Sequence, residues 1–123
     1  MVSKARSQRI AQRIQEDLAE LIQREVSDPR LQMLTITGVD VDRELAYATV
    51  YISSLEAADQ KEEVLRALRG ARGFLRRALA AQIPLRTFPQ LRFRWDPTPA
   101  RGARIDELLR GLNAGGDSQG EED

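Results

Sequence analysis

The chain has 123 residues, with 19 basic and 19 acidic side chains and with neither cysteine nor histidine. This length allows one domain with one hydrophobic core, and the missing thiols and imidazoles exclude disulfides, thiolate metal sites and the groups most enzymes use for catalysis. We therefore expect a protein that is not an enzyme and that needs no metal or other cofactor.

The formal net charge of zero hides a segregation of charge along the chain. Eight arginines and no acid lie between Arg66 and Trp95, and Lys4 with three arginines precedes the first acid, Glu16. Acids are concentrated in 40–59 and 117–123. Such asymmetry is typical of a nucleic-acid-binding face. The alternative is that scattered arginines only solvate the fold.

The first predicted element is a helix from about Ser7 to Val26. Before it the chain is polar and basic, and no run approaches the ~20 apolar residues of a membrane span, so we expect a soluble, cytoplasmic protein. Apolar residues recur every three or four positions and form one stripe. At about 100° per residue, Arg6, Arg9 and Arg13 lie along one edge of that stripe, either within reach of a ligand or as ordinary charged flanks.

Two strands of an antiparallel hairpin are predicted next, after Ser27-Asp28-Pro29 ends the helix. The stretch LTITGVDVDRELAYATVYIS alternates with a period of two, and its phase shifts after Gly38, which indicates a β-bulge there. The second strand covers Ala46 to Ile52. Its outer face carries Tyr47 and Tyr51, which either stack on bases or pack against the protein.

A helical region follows from about Ala57 to Gln82, and Gly70 and Gly73 interrupt it in the stretch RGARGFLRR. Each interior glycine costs about 0.5–1 kcal/mol relative to alanine. Two glycines within four residues therefore predict a break or kink between two helices.

The third strand is predicted at LRFRW, with Leu91, Phe93 and Trp95 on a buried face and Arg92 and Arg94 on a basic face. We also expect Phe74, in the helical region, to belong to the core. A helical crossover from the second strand makes the third strand parallel to it, so the sheet is mixed. A short helix at 103–112 completes a domain of residues 1–112, and 113–123 form an acidic, disordered tail.

The order α-β-β-α-(kink)-α-β resembles the type II KH domain, and three stretches resemble the ribosome-binding factor A family: RIAQRIQEDLAELIQREVSDPRL, LTITGVDVDRELAYATVYIS and GARGFLRR. The resemblance implies an α+β, KH-like fold in which helices pack on one face of a three-stranded mixed sheet. In that family a kink with the sequence Ala-x-Gly replaces the phosphate-binding loop of ordinary KH domains. Ala71 and Gly73 match it, whereas Gly70 makes the same stretch a formal G-x-x-G loop.

The resemblance implies a bacterial assembly factor that binds the free 30S ribosomal subunit, supports late 16S rRNA maturation including its 5′ end, and leaves before translation. Release by a ribosome-assembly GTPase belongs to the same expectation, and a monomer is the simplest state. The alternative is a general single-stranded nucleic-acid module that uses an open GARG loop.

Phosphate contacts are assigned to arginines because a guanidinium contacts two phosphate oxygens at once. Arg30, after the first helix, is instead predicted to pair with a carboxylate and fix the turn. The RNA-binding candidates fall into three groups. They are the kink group Arg69, Arg72, Arg76 and Arg77; the strand group Arg86, Arg92 and Arg94; and the N-terminal arm Lys4, Arg6, Arg9 and Arg13.

Overall fold

The computed structural model describes residues 1–54 and 58–96. In chain order its elements are α1 Lys4–Glu25, α2 Pro29–Gln32, β1 Thr35–Val41, β2 Tyr47–Ser53, a 3₁₀ turn Ala58–Gln60, α3 Lys61–Gln82 and β3 Gln90–Trp95. The predicted helix at 103–112 and the predicted tail at 113–123 lie outside the described residues. The boundary at residue 112 stays a prediction.

Helix α1 begins at Lys4, three residues earlier than expected, because the Ser3 hydroxyl accepts a hydrogen bond from the Arg6 N–H at 3.0 Å. This side-chain cap satisfies one of the free N–H groups of the first turn. The Val2 N–H also donates to the Arg43 carbonyl at 2.8 Å, which ties the terminus to the β1–β2 turn. The basic residues of the N-terminal arm are therefore helical.

The turn after α1 contains the short helix α2, which the sequence pattern did not reveal. The Asp28 carboxylate caps it by accepting from the Arg30 N–H at 3.0 Å. The same carboxylate pairs with the Arg30 guanidinium at 2.6 Å, and these bonds hold the pKa of Asp28 below its ordinary value. The structural role predicted for Arg30 is confirmed.

The sheet has the order β1-β2-β3, with β1 antiparallel and β3 parallel to β2, as predicted. The predicted bulge is present, because the β1–β2 register shifts between Ile36 and Gly38. Thr37 is the additional residue, and its hydroxyl donates to the Asp96 carboxylate at 2.5 Å. Together these features confirm the α+β fold with a mixed sheet.

Both long helices pack on one face of the sheet, where Ala48, Val50 and Ile52 of β2 are fully buried. The opposite face, called the open face below, carries alternate residues of β2 and β3: Tyr47, Thr49, Tyr51, Arg92 and Arg94. Within the described residues, no helix is long and apolar enough to cross a membrane.

Helix α3 is continuous from Lys61 to Gln82, so the predicted break into two helices is wrong, whereas a kink within this helix at Ala71 and Gly73 stays a prediction. Neither glycine has a positive φ, and an open G-x-x-G loop is excluded because GARG is helical. The physical reason lies in packing: Leu68 and Leu75, on either side of the glycines, are both fully buried. Burial of such side chains contributes about 1.5–3 kcal/mol each and outweighs the glycine penalty.

Candidate nucleic-acid interface

Three arginines of the kink group, Arg69, Arg72 and Arg76, are spaced by three and four residues and so share one flank of α3. Arg76 is half-buried, and its guanidinium donates to the Pro89 carbonyl at 3.1 Å and to the Phe88 carbonyl at 2.5 Å. This side chain fastens α3 to the segment that enters β3. We therefore assign Arg76 a structural contact rather than a phosphate contact.

The direction of these bonds shows which side of the sheet this flank faces. The Gln90 N–H donates to the Ala46 carbonyl at 2.9 Å, toward β2. In a trans peptide the C=O and the following N–H point in opposite directions, so the Pro89 carbonyl points away from β2. Arg76 consequently reaches it from the outer edge of β3.

Arg72 and Arg69 are exposed and lie one turn and two turns from Arg76, respectively, on that flank. Within the described ranges, their side chains make no hydrogen bond or ion pair. Because β2 and β3 are parallel, α3 must run antiparallel to both. A helix rises about 1.5 Å and a strand about 3.3 Å per residue, so Arg69 lies roughly level with Arg92 along the edge.

Exposed arginines therefore lie on both sides of the outer edge of β3. Arg69 and Arg72 lie on the helix side, and Arg92 and Arg94 lie on the open face. We call this set of four residues the β3-edge surface. It joins members of two predicted groups that are about twenty residues apart in the sequence.

Arg77 is exposed on a different face of α3. A Cβ built on Gly73 would lie 3.3 Å from the Arg77 Nη1 atom, so the Arg77 side chain passes over this glycine. Ala71 is half-buried and packs against the core.

Phe74 is 41% exposed, so its expected place in the core is wrong. Its position along the helix turns it away from the stripe that contains Leu75.

The predicted strand group is divided by the structure. Arg86 lies with Arg6 beside the start of α1, where both line a cavity of about 710 Å³ that Glu44 also lines. Arg92 and Arg94 lie on β3, on the open face. Arg86 consequently belongs to a separate basic site.

The N-terminal arm is divided as well. Arg13 donates to the Gln82 carbonyl at 3.1 Å and to the Asp17 carboxylate at 3.0 Å, which fastens α1 to the last residue of α3. Arg9 is exposed on the same flank. Lys4 lies on another side of α1 and lines a groove of about 420 Å³ that extends onto the open face.

The open face contains a contact that the sequence pattern did not reveal. The guanidinium carbon of Arg92 lies 4.0 Å from the centroid of the Tyr47 ring. A cation at this distance over an aromatic ring is attracted by the ring's negative face. Tyr47 and Arg92 both line the groove beside Lys4.

Two carboxylates also line this groove, and they differ in their bonding. Asp42 accepts hydrogen bonds from the N–H groups of Tyr47 at 2.7 Å and Ala46 at 2.9 Å. These donors, Tyr47 first, hold the pKa of Asp42 below its ordinary value. Asp40 is exposed, directly opposite Thr49. No group of acids in the described part of the chain is arranged to hold a metal ion.

A family model described as Ribosome-binding factor A matches residues 6–109. A protein of that name from Chromohalobacter salexigens is 47% identical over 106 residues, covering 85% of this chain and 81% of the relative. The matched region contains β1, β2, α3 and β3 in full.

Two structures of a Thermus thermophilus protein are similar to this one. The crystal structure of ribosome-binding factor A from that organism has a TM-score of 0.65 and 32% identity, covering 72% of this chain and 93% of its own. A homology model of the Thermus thermophilus factor was fitted into the cryo-EM map of a 30S–RbfA complex. It has a TM-score of 0.57 and 32% identity, covering 71% of this chain and 91% of its own.

Proposed function

The chain belongs to the ribosome-binding factor A family, and from this premise we propose that it binds the free 30S ribosomal subunit and supports late 16S rRNA maturation, including processing at the 5′ end. The observation that carries the proposal is the Thermus thermophilus relative, 32% identical, whose model was fitted into a map of its 30S complex. The described parts of the two chains share one fold. We therefore propose for this chain the binding role of the relative, which is association with the 30S subunit.

The β3-edge surface is the part of the molecule that we assign to rRNA. Its four arginines carry fixed positive charge, and each guanidinium can contact two phosphate oxygens at once. Phosphate contacts of this kind provide affinity and orientation with little sequence information. Recognition through this surface consequently depends on the shape and charge of the folded rRNA.

The proposal involves no covalent step. The protein acts as a binding factor in the cytoplasm, as a monomer, and leaves the subunit before translation with the help of a ribosome-assembly GTPase. The competing module with an open GARG loop has no structural basis here, because that stretch lies inside the continuous helix α3.

Co-sedimentation tests the proposal directly. The purified full-length chain is sedimented with immature 30S subunits, mature 30S subunits and 70S ribosomes across a salt series. We expect retention on free 30S subunits, most on immature ones, with none on 70S ribosomes. Retention should fall with salt because rRNA phosphates release counterions when arginines bind them.

Two outcomes would contradict the proposal. Equal retention on all particles, or on none, would exclude a factor for the free subunit. Retention that survives high salt would indicate a protein-only contact, since apolar interfaces lack this salt dependence. The role in rRNA processing is tested separately, by measuring the fraction of unprocessed 16S 5′ ends in cells that lack the protein.

A further inference from the structure

We propose that Tyr47 and Arg92 form a stacking site for one unpaired RNA base on the open face of the sheet. This inference rests on the proposed function and names a second contact with rRNA, distinct in chemistry from the phosphate contacts of the β3-edge surface. Arg92 takes part in both, because it lies where β3 borders the open face. The occupant is a single-stranded RNA segment.

The first argument is the geometry of the pair. Tyr47 is 44% exposed, although most large apolar side chains of the described residues are buried. The Arg92 guanidinium carbon lies 4.0 Å above its ring, so the two side chains form one layered platform. RNA-binding proteins stack unpaired bases on aromatic rings and on guanidinium planes, and this platform offers both.

The second argument is that the platform is held in place before any ligand binds. Tyr47 is the first residue of β2, and its N–H donates to the Asp42 carboxylate at 2.7 Å. The Asp42 N–H donates in turn to the Tyr47 carbonyl at 3.3 Å. A fixed backbone lowers the entropy that must be lost when the ring contacts a base.

The third argument is the groove beside the platform. Its volume of about 420 Å³ lies within the range of small-molecule sites, about 300–1,000 Å³. Lys4 and Arg43 line it and can attract the phosphates that flank a bound base. Asp40 and Asp42 also line it and repel phosphate, so they favour an uncharged base over the phosphate chain beside them.

The experiment compares two probes with the same number of phosphates. The full-length ¹⁵N-labelled protein is titrated by NMR with a hexa-adenylate RNA and with an abasic hexamer of equal length. We expect the adenylate to shift the amide signals of Tyr47, Thr49 and Arg92 and to bind at least about fivefold more tightly than the abasic probe. Stacking of one base on an aromatic ring is worth about 5- to 150-fold in affinity.

The variants separate the ring from the charge. Tyr47→Ala should remove the difference between the two probes, whereas Tyr47→Phe should retain it because the ring remains. Phe74→Ala is the matched control, since Phe74 is exposed to nearly the same extent, 41%, on a different element. Tyr47→Ala should also leave the salt dependence unchanged, because no cation is lost.

The inference is wrong if wild-type protein binds both probes equally, if Tyr47→Ala keeps the preference, or if Phe74→Ala removes it. A folded Tyr47→Phe with normal preference shows that the ring, and not the hydroxyl, is required. If the inference fails alone, wild-type protein still sediments with free 30S subunits. If the proposed function fails, that sedimentation is absent whatever the hexamers show.

Discussion

Helices α1 and α3 each carry three arginines along one flank, and the two sets divide in the same way. In α1, Arg13 is bonded to the fold while Arg6 and Arg9 are exposed. In α3, Arg76 is bonded to the fold while Arg69 and Arg72 are exposed. Both bonded arginines reach carbonyls at the end of α3 or in the segment leading to β3. Arginines that are equivalent in the sequence thus divide into structural and ligand-accessible residues.

The two bonded arginines also differ from each other. Arg76 is half-buried and donates to two carbonyls, whose residues Phe88 and Pro89 are themselves buried. Arg13 is exposed, donates to a single carbonyl and shares its charge with Asp17. Buried acceptors that lose their donor cost more than exposed ones, which water can solvate. Arg76 should therefore matter more to stability.

The largest effect should come from the exposed pair on α3. Replacement of both Arg69 and Arg72 by alanine should weaken 30S binding by about 100-fold or more, since hydrogen bonds to charged groups contribute about 1.5–3 kcal/mol each. The log–log salt slope should flatten by about 1.4–1.8. Thermal stability should be unchanged. Arg24→Ala, an exposed arginine near the end of α1, is the control. Unaltered binding and slope in the double variant would exclude the β3-edge surface.

Arg76→Ala should do the reverse, lowering stability while leaving the salt slope of the folded protein unchanged. We expect a loss of about 1–3 kcal/mol in the free energy of unfolding, measured with urea, because the Phe88 and Pro89 carbonyls lose their donor. Arg76→Lys should recover part of this free energy of unfolding, because the lysine ammonium can donate a hydrogen bond to one of the two carbonyls. A normal unfolding midpoint combined with a flattened slope would instead make Arg76 a phosphate ligand.

Arg13→Ala should have a smaller effect in the same direction. The Gln82 carbonyl is one of the unpaired acceptors at the end of α3, and a cation there is worth about 0.3–1 kcal/mol. Urea unfolding of this variant should show a loss within that range. A loss equal to that of Arg76→Ala would mean that burial does not distinguish the two contacts.

Gly70→Ala tests whether α3 presents Arg69 and Arg72 in line with Arg76. A Cβ on Gly70 meets nothing within 4 Å, and the residue is helical, so alanine should stabilise the protein by about 0.5–1 kcal/mol. Gly73→Ala should increase the stability by less, because the Arg77 side chain must move to make room for the added Cβ. A destabilised Gly70→Ala, measured by thermal unfolding, would indicate a break in the helix.

Much of the fold could be predicted because its periodic patterns are local. The stripe of α1, the alternation in β2 and β3, and the phase shift at Gly38 each lie within one element and follow from burial of one face. The continuity of α3 could not be predicted in this way. The glycine penalty is visible in the sequence, whereas the burial of Leu68 and Leu75 that outweighs it depends on the assembled core.

The candidate site was predictable in its residues more than in its arrangement. Spacing alone places Arg69, Arg72 and Arg76 on one flank, but the carbonyls that Arg76 binds belong to a later segment. The Tyr47–Arg92 contact depends on the register of β2 and β3, in which Tyr47 pairs with Gln90. The sequence places both side chains on the polar face of the sheet without giving that register.

The bond between Arg76 and the segment before β3 also bears on the order of folding. Arg76 and Phe88 are only 12 residues apart, whereas the β2–β3 pairing joins Tyr47 to Gln90 across the whole of α3. Closing a short loop costs less chain entropy than closing a long one, so we expect the contact between α3 and the segment before β3 to form first. The parallel pairing of β2 with β3 then joins two units that have already formed, the β1–β2 hairpin and the α3–β3 pair.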